Sequence, residues 1–111
     1  MNKIYMGIYT KPGPQEVVVF YADGSKVTHP LRHVVKHSPT GFQWGYGGSG
    51  PADLALSILH DCILDTLLVE KHYQAFKREF IEPVDRQLHI KESDILLWIS
   101  EQEGEEIGRI L

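Results

Sequence analysis

The residues best placed to do chemistry lie in one segment, Phe42–Leu56, which ends where the apolar spacing of a helix begins. Aromatic side chains are mixed there with a run of glycines: Gly45, Gly47, Gly48 and Gly50. Glycine lets a backbone approach a ligand closely, and aromatic rings offer flat faces for stacking. The free N–H groups and the dipole at a helix N-terminus favour negative charge. The segment therefore predicts a site for an anionic, planar molecule.

Each candidate residue has a role in such a site. Backbone amides of residues 47–52 and the Ser49 hydroxyl would hold a phosphate or carboxylate, while rings would stack on a base. Asp53 would bind a sugar hydroxyl or an amine, since it competes with an anion for the same amides. The predicted ligand-binding residues are Phe42, Trp44, Tyr46, Gly47, Gly48, Ser49, Gly50, Asp53 and His37. A second interpretation stays open: a tight strand-to-helix connection, with glycines serving the turn and aromatics capping the core.

Known phosphate-binding motifs do not fit this segment. Gly45–Gly50 matches G-x-G-x-x-G literally, but the preceding sequence does not form a βαβ unit. A P-loop needs Gly-Lys-Ser or Gly-Lys-Thr, whereas Pro51 follows Gly50. The segment therefore predicts neither a Walker nor a dinucleotide-binding loop.

The histidines provide further candidates. His29, His33 and His37 are spaced by four and would align as metal ligands on a helix. Pro30 and the β-branched neighbours disfavour that helix, so we predict no metal site and no cofactor.

A histidine–carboxylate pair, His60-Asp61, precedes Asp65 near the end of the first helix. Such a pair can act in acid–base catalysis, but no nucleophile accompanies it at a recognisable spacing. We therefore predict no catalytic residue. A small phosphodiesterase-like enzyme using His37 or His60 with Asp61 is the weaker alternative.

Size and composition bound the class of protein. A chain of 111 residues predicts one domain over residues 1–111. The net charge of −4 disfavours a grip on long nucleic acid. The lone Cys62 excludes an internal disulfide and is expected in the core. No signal peptide and no membrane-spanning run is recognised, so a cytoplasmic protein is expected.

The N-terminal half reads as strands. Lys3–Tyr9 and Glu16–Tyr21 carry the strongest strand signals. Ala22–Ser25 predicts a tight type I′ hairpin turn. The return strand is expected to start at Lys26–Thr28, with Pro30 interrupting it or lying at its edge.

Helices dominate the C-terminal half. The first is expected from Pro51, capped by Ser49 or Gly50, with a buried face of Leu54, Ala55, Ile58, Leu59 and Cys62. The second is expected over Val69–Phe80, with Tyr73, Phe76 and Phe80 buried, and Pro83 stops it. Gln87–Ile90 predicts a returning strand, and Ser93-Asp94 opens a third helix. In its Glu-rich tail, Ile107, Ile110 and Leu111 could dock.

Together these elements predict an α+β fold, an antiparallel β meander in the N-terminal half packed by about three C-terminal helices. Strands first and helices later disfavour a doubly wound parallel sheet.

Three stretches resemble the signature of a small domain family of unknown function found in bacteriophages, prophages and bacteria. The longest is His37–Ala55, which contains His-Ser-Pro-Thr-Gly-Phe-Gln-Trp-Gly-Tyr-Gly-Gly-Ser-Gly-Pro-Ala-Asp. Tyr73–Ile81 resembles the family's second helix, and Ile90–Trp98 resembles its closing helix. Lys91 stands where a capping Ser or Thr is expected.

The resemblance implies a setting and no activity: a small, phage-associated protein in the host cytoplasm. We expect a non-catalytic protein, with homo-oligomers allowed, that binds a phosphate-bearing or nucleotide-like molecule and acts as a sponge for a bacterial immune signal. The alternative is an inhibitor that binds a bacterial defence protein through exposed aromatics.

Overall fold

A computed structural model describes the backbone of residues 2–110 and the side chains of residues 2–104. In chain order its elements are β1 (Lys3–Ile8), β2 (Val18–Tyr21), β3 (His29–Pro30), α1 (Ser49–Cys62), α2 (Thr66–Phe76), a π-helical turn (Lys77–Ile81), β4 (Gln87–Lys91) and α3 (Glu92–Ile110). The predicted α+β class, with an antiparallel sheet and three main helices, is confirmed. The expected docking of Ile107, Ile110 and Leu111 concerns side chains outside the described part.

The four strands form one sheet in the order β3-β2-β1-β4, and every neighbouring pair is antiparallel. Tyr5 in the central strand faces Val19 on one side and Ile90 on the other. Because side chains alternate along a strand, these three residues share the inner face with Tyr21 and Leu88, and all five are buried. β4 follows the predicted returning strand and closes the sheet beside β1.

The connection from β2 to β3 differs from the predicted tight hairpin. Asp23 does not adopt a positive φ, which a type I′ turn needs at both central positions. The Gly24 amide donates to the Tyr21 carbonyl at 3.0 Å, and only Gly24 in this turn has a positive φ, +71°. The return strand accordingly starts at His29, and Pro30 lies in this edge strand, where its missing N–H is tolerated.

α1 is buried on nearly all sides, not along one stripe. Every residue from Gly50 to Leu59 is buried, including Asp53 and Ser57. The helix begins at Ser49, two residues before the predicted start, and its N-cap is Gly48, which provides no side-chain cap. A helix enclosed this fully forms the centre of the core, between the inner face of the sheet and the other helices.

α2 starts at Thr66, earlier than predicted, because Asp65 is its N-cap and not part of α1. The Asp65 carboxylate accepts hydrogen bonds from the Leu67 and Leu68 amides at 3.0 and 3.3 Å. The predicted stripe is confirmed for Tyr73 and Phe76, which are buried, and Phe80 is partly buried against the core. After Phe76 the helix continues as the π-helical turn, which ends at Ile81, two residues before Pro83.

α3 begins one residue before the predicted Ser93-Asp94 opening and is tied to the preceding helical segments by two polar contacts. The Trp98 Nε1 donates to Glu79 Oε2 at 2.6 Å, and His72 Nε2 lies 2.8 Å from Glu103 Oε2. Within residues 2–110, no helix combines the length and apolarity needed to cross a membrane.

The sheet and the aromatic segment meet at Gly7. A Cβ at this position would lie 2.8 Å from the Glu16 carbonyl oxygen and 2.8 Å from Cη2 of the Trp44 ring. Because Gly7 has no side chain, the Trp44 indole has room to pack against β1.

We predict that Gly7→Ala lowers the free energy of unfolding by about 1–3 kcal/mol, because neither the carbonyl nor the packed indole can withdraw easily. Urea denaturation measures the change. Gly104→Ala is the matched control, since a Cβ there meets nothing within 4 Å, and it should be neutral or stabilising by up to about 1 kcal/mol. Equal stability of Gly7→Ala and the natural chain would contradict the packing.

Candidate functional site

Asp53, predicted to contact a ligand, is fully buried and faces the chain's own backbone. Its carboxylate accepts hydrogen bonds from the amides of Lys36, His37 and Ser38 at 3.2, 2.8 and 2.9 Å. His33 Nε2 lies 2.9 Å from Asp53 Oδ2. The carboxylate is thus enclosed by partners within the fold, and it does not contribute to an open site.

The same face of α1 holds a second anchor one turn later. The Ser57 hydroxyl accepts a hydrogen bond from the Val34 amide at 2.8 Å. Asp53 and Ser57 are four residues apart, so their side chains lie on one face of the helix. Together they satisfy the backbone of residues 34–38, which belongs to no strand or helix.

These contacts also set the ionisation of Asp53. Burial by itself raises the pKa of a carboxyl, but the hydrogen bond from His33 and those from the Ser38, His37 and Lys36 amides lower it more. The net effect holds the pKa of Asp53 below its ordinary value. The charged form is therefore the one the fold stabilises.

Two of the three rings predicted to stack on a ligand are buried. Phe42 is 6% exposed and lies against the His33 ring, with ring centroids 4.6 Å apart. Trp44 is 5% exposed and packs under Gly7. Neither ring has an open face for stacking, and both belong to the core, as the structural interpretation expects. The Trp44 Nε1 is buried without a hydrogen-bond partner among the described residues.

Tyr46 is the exception, with 48% of its side chain exposed. Its hydroxyl donates a hydrogen bond to Gln43 Oε1. Its ring lies on Gly48, where a Cβ would come within 2.6 Å of the ring. The absence of a side chain at Gly48 therefore allows the ring to lie close to the loop backbone.

Two of the remaining glycines, Gly45 and Gly47, make close contacts with residues at or just after the end of the π-helical turn. Gly45 has a φ of +88°, which favours glycine, and donates its amide to the Ile81 carbonyl at 3.1 Å. A Cβ at Gly47 would lie 3.0 Å from the Glu82 carboxylate, which pairs with Lys77 Nζ at 3.6 Å. A carboxylate thus already stands beside the predicted anion site. Gly50 lies against Gln43, and Ser49 is exposed in the first turn of α1.

The three histidines predicted as possible metal ligands, His29, His33 and His37, each contact a different partner within the fold. His29 Nε2 bonds the Tyr21 hydroxyl at 2.9 Å, and His37 Nε2 bonds the Tyr73 hydroxyl at 2.7 Å. With His33 on Asp53, the three do not share a helix face. Among the described residues, no group of three or more His, Cys, Asp or Glu side chains is placed to hold a metal.

The carboxylate of the His60-Asp61 pair has its hydrogen-bond partners on β1. Asp61 Oδ2 accepts hydrogen bonds from the Tyr5 hydroxyl at 2.7 Å and from Lys3 Nζ at 3.2 Å. Burial raises the pKa of the neighbouring Cys62 thiol to about 12, so it stays protonated and poorly nucleophilic. This cluster ties β1 to the end of α1.

Sequence reasoning missed Gln43, Glu82 and Ser57, which shape the loop from outside its glycines. For Ser57 a signal was present: a polar residue four positions after Asp53 in an otherwise apolar helix predicts two buried polar groups with a shared partner. Gln43 lies three positions before Tyr46, from whose hydroxyl it accepts a hydrogen bond, but no residue pattern predicts that bond. The Glu82 contact depends on where the loop lies in the fold.

Residues 5–101 match the family DUF6166, described as a family of unknown function. The chain therefore belongs to that family, which agrees with the resemblance found in its sequence. No curated protein matches the chain, and no solved structure matches it.

We predict that Asp53→Asn lowers the free energy of unfolding by about 2–4 kcal/mol, because the amide loses the charge and turns one donor group toward other donors. Denaturant titration measures it. Asp65→Asn is the matched control: Asn caps a helix as well as Asp, so its change should stay within about 0.5 kcal/mol. Equal effects of the two substitutions would contradict a stabilising role for the hydrogen bonds that the buried Asp53 carboxylate accepts.

The lowered pKa of Asp53 predicts part of the acid sensitivity of the fold. Its contribution is fully present above the pKa of the unfolded carboxyl, about 3.9, and is lost as the pH falls through the lower folded pKa. Stability measured against pH in the acid range should therefore fall less steeply in Asp53→Asn. Parallel curves for the two proteins would argue against the assignment.

Proposed function

We propose that this chain is a non-catalytic binding protein that recognises another protein through the Tyr46 rim, defined as Tyr46, Gly47, Gly48 and Ser49. One observation carries the proposal. Of the three aromatic rings in the segment, Tyr46 alone is substantially exposed, at 48%, while Phe42 and Trp44 are at 6% and 5%.

The ring is also held in place before any partner arrives. The hydrogen bond to Gln43 restrains its hydroxyl end, and contact with Gly48 restrains its inner face. Tyrosine is enriched among the residues that dominate binding energy, and a ring already fixed loses little entropy on binding. Such a ring suits insertion into a pocket on a partner.

The charge beside the rim favours a protein over a phosphate. The Glu82 carboxylate stands next to Gly47, and the chain carries a net charge of −4. A phosphate at the rim would be repelled by Glu82 unless Lys77 left that carboxylate. A neutral or basic protein pocket meets no such repulsion. In the phage setting that the family resemblance implies, the partner would be a bacterial defence protein in the host cytoplasm.

A nucleotide-like ligand is the second candidate, and one arrangement supports it. The first turn of α1 has no side-chain cap, so its leading amides lie next to the exposed Tyr46 ring without an intrahelical acceptor. A planar anion could use both groups, as a sponge for an immune signal would. The buried Asp53 would take no part in it.

Two of the three acid–base candidates have structural partners, which supports a non-catalytic role: His37 bonds Tyr73, and Asp61 bonds Lys3 and Tyr5. A phosphodiesterase would need one of these groups to face a substrate.

We predict that Tyr46→Ala weakens partner binding while the fold is retained, because the side chain is half exposed. Affinity capture from bacterial lysate, followed by calorimetry with the purified partner, should give a loss of affinity of about 30-fold or more. Tyr46→Phe, which keeps the ring, should retain most binding, and Leu64→Ala, at a fully exposed residue elsewhere, should change nothing. Circular dichroism checks folding of each variant.

Calorimetry with a panel of cyclic and linear nucleotides and inorganic phosphate separates the candidates. Heat that disappears in Tyr46→Ala would favour the nucleotide ligand over the protein partner. Chromatography of the same nucleotides after incubation should show them unchanged, and turnover would overturn the non-catalytic assignment. A partner captured equally by the natural chain and by Tyr46→Ala would remove the Tyr46 rim from the proposal.

A further inference from the structure

The outer face of the sheet, on the side away from α1, is apolar over the two central strands, whereas the outward residues of β4 are the polar Gln87, His89 and Lys91. An antiparallel sheet covered on one side normally alternates buried apolar with exposed polar residues. Here the outward positions of the two central strands are Ile4, Met6, Ile8, Val18 and Phe20. Ile8 is 64% exposed and Phe20 is 40% exposed. A contiguous apolar patch of this kind marks an interaction surface.

The register places this patch between two opposite charges. Lys91 in β4 lies beside Ile4. At the other end, Glu16 lines a groove of about 820 Å³ together with Met6, Ile8 and Val18. Because β2 and β4 flank β1 on opposite sides, Glu16 and Lys91 stand at diagonal corners, separated by about 10 Å across the strands and about 13 Å along them.

Both charges are available to a partner. Glu16 and Lys91 are exposed, and neither has an ion-pair partner among the described residues. Lys11 lies on the loop side of the same groove. Asp94, exposed in the first turn of α3, follows Lys91 by three residues and brings negative charge to that end.

We propose that the outer face binds a second copy of this chain in a two-fold symmetric dimer. In an isologous interface, residue i of one copy meets residue j of the other, and j meets i. A two-fold axis perpendicular to the Glu16–Lys91 diagonal places Glu16 of each copy at Lys91 of the other. Met6, at the middle of the face, then meets its own counterpart, and Ile4 meets Val18. The face is therefore complementary to itself in charge at its corners, and Ile4, Met6 and Val18 supply apolar contacts at its centre.

The wall of the groove is rigid enough to serve such an interface. The Gln15 side chain accepts a hydrogen bond from the Thr10 amide at 3.0 Å and donates to the Lys11 and Gly13 carbonyls. Its backbone amide donates to the Phe42 carbonyl at 2.8 Å. The loop over residues 10–15 is thereby held closed, so the groove that receives Lys91 of the second copy exists before association.

The size of the face sets the strength of the dimer. Four short strands with the groove wall offer on the order of 500 Å² per copy, and a total near 1,000 Å² belongs to weak, transient interfaces. We therefore expect association that depends on concentration, with a Kd in the micromolar to sub-millimolar range. The inference concerns a different surface from the Tyr46 rim and does not depend on it.

Sedimentation equilibrium between about 1 µM and 1 mM measures the Kd of the dimer for the natural chain and for variants in which the charges at positions 16 and 91 are reversed. Glu16→Lys and Lys91→Glu should each raise the Kd about tenfold, because each creates two like-charge contacts by symmetry. The double variant restores opposite charges and should return the Kd to within about threefold of the natural value. Both sites are exposed, so folding is retained, and circular dichroism checks it.

Ile8→Asp tests the apolar part and should raise the Kd by more than about 30-fold. Leu64→Asp, at an exposed apolar residue on the connection between α1 and α2, is the matched control and should leave the Kd unchanged. A monomer at every concentration would overturn the proposal. So would a dimer that ignores both charge reversals, fails to recover in the double variant, or responds to Leu64→Asp in place of Ile8→Asp.

Discussion

The buried carboxylate of Asp53 is the interaction on which the rest of the structure depends. Burying a charge is costly unless it is paired and hydrogen-bonded, and here three backbone amides and His33 provide those bonds. In return, residues 36–38, which belong to no strand or helix, gain a partner for their amides. This segment joins the strand half of the chain to the helix half. Its attachment to α1 determines where the aromatic loop emerges.

The same constraint limits what the glycine-rich loop can present to solvent. Asp53 turns inward to the backbone, Trp44 fills the space left at Gly7, and Phe42 packs on His33. Glycines that suggest a ligand cradle in sequence are used for close contacts with Gln43, Tyr46, Glu82 and Val84. Of the three aromatic rings in this loop, the Tyr46 ring is the one that stays outward, beside the exposed Gly47 and Ser49.

The sheet also bears on the proposed dimer, because β1 carries apolar residues on its outer face as well as on its inner face. The inner residues of β1 and β2 meet α1 and its neighbours, so the core accounts for them. Of the outer residues, Ile8 and Phe20 are exposed, and Ile4, Met6 and Val18 are only partly buried. The two proposals use separate surfaces, the Tyr46 rim at the loop and the outer face of the sheet, so a dimer could present two rims at once.

The local patterns of the sequence predicted the fold class, the positions of β1, β2 and β4, the buried stripe of α2 and the existence of all three main helices. Period-two and three-and-four spacings are local properties, and glycine, proline and capping residues act within a few positions. The boundaries shifted where a single contact decided them, as at Asp65, whose capping bonds start α2 earlier. The type I′ turn was wrong because Asp23 keeps an ordinary φ.

For the candidate site too, some features follow from local sequence and others from contacts between distant residues. The sequence by itself determined that the segment around Gly45–Asp53 is a special strand-to-helix connection in a small α+β domain. Only the tertiary structure decided which ring faces solvent, because exposure depends on residues distant in the chain: Gly7 for Trp44, His33 for Phe42, and residues 36–38 for Asp53. Aromatic and charged side chains have the same local preferences whether they bind a ligand or the protein's own interior, so their partners are set by packing between distant segments.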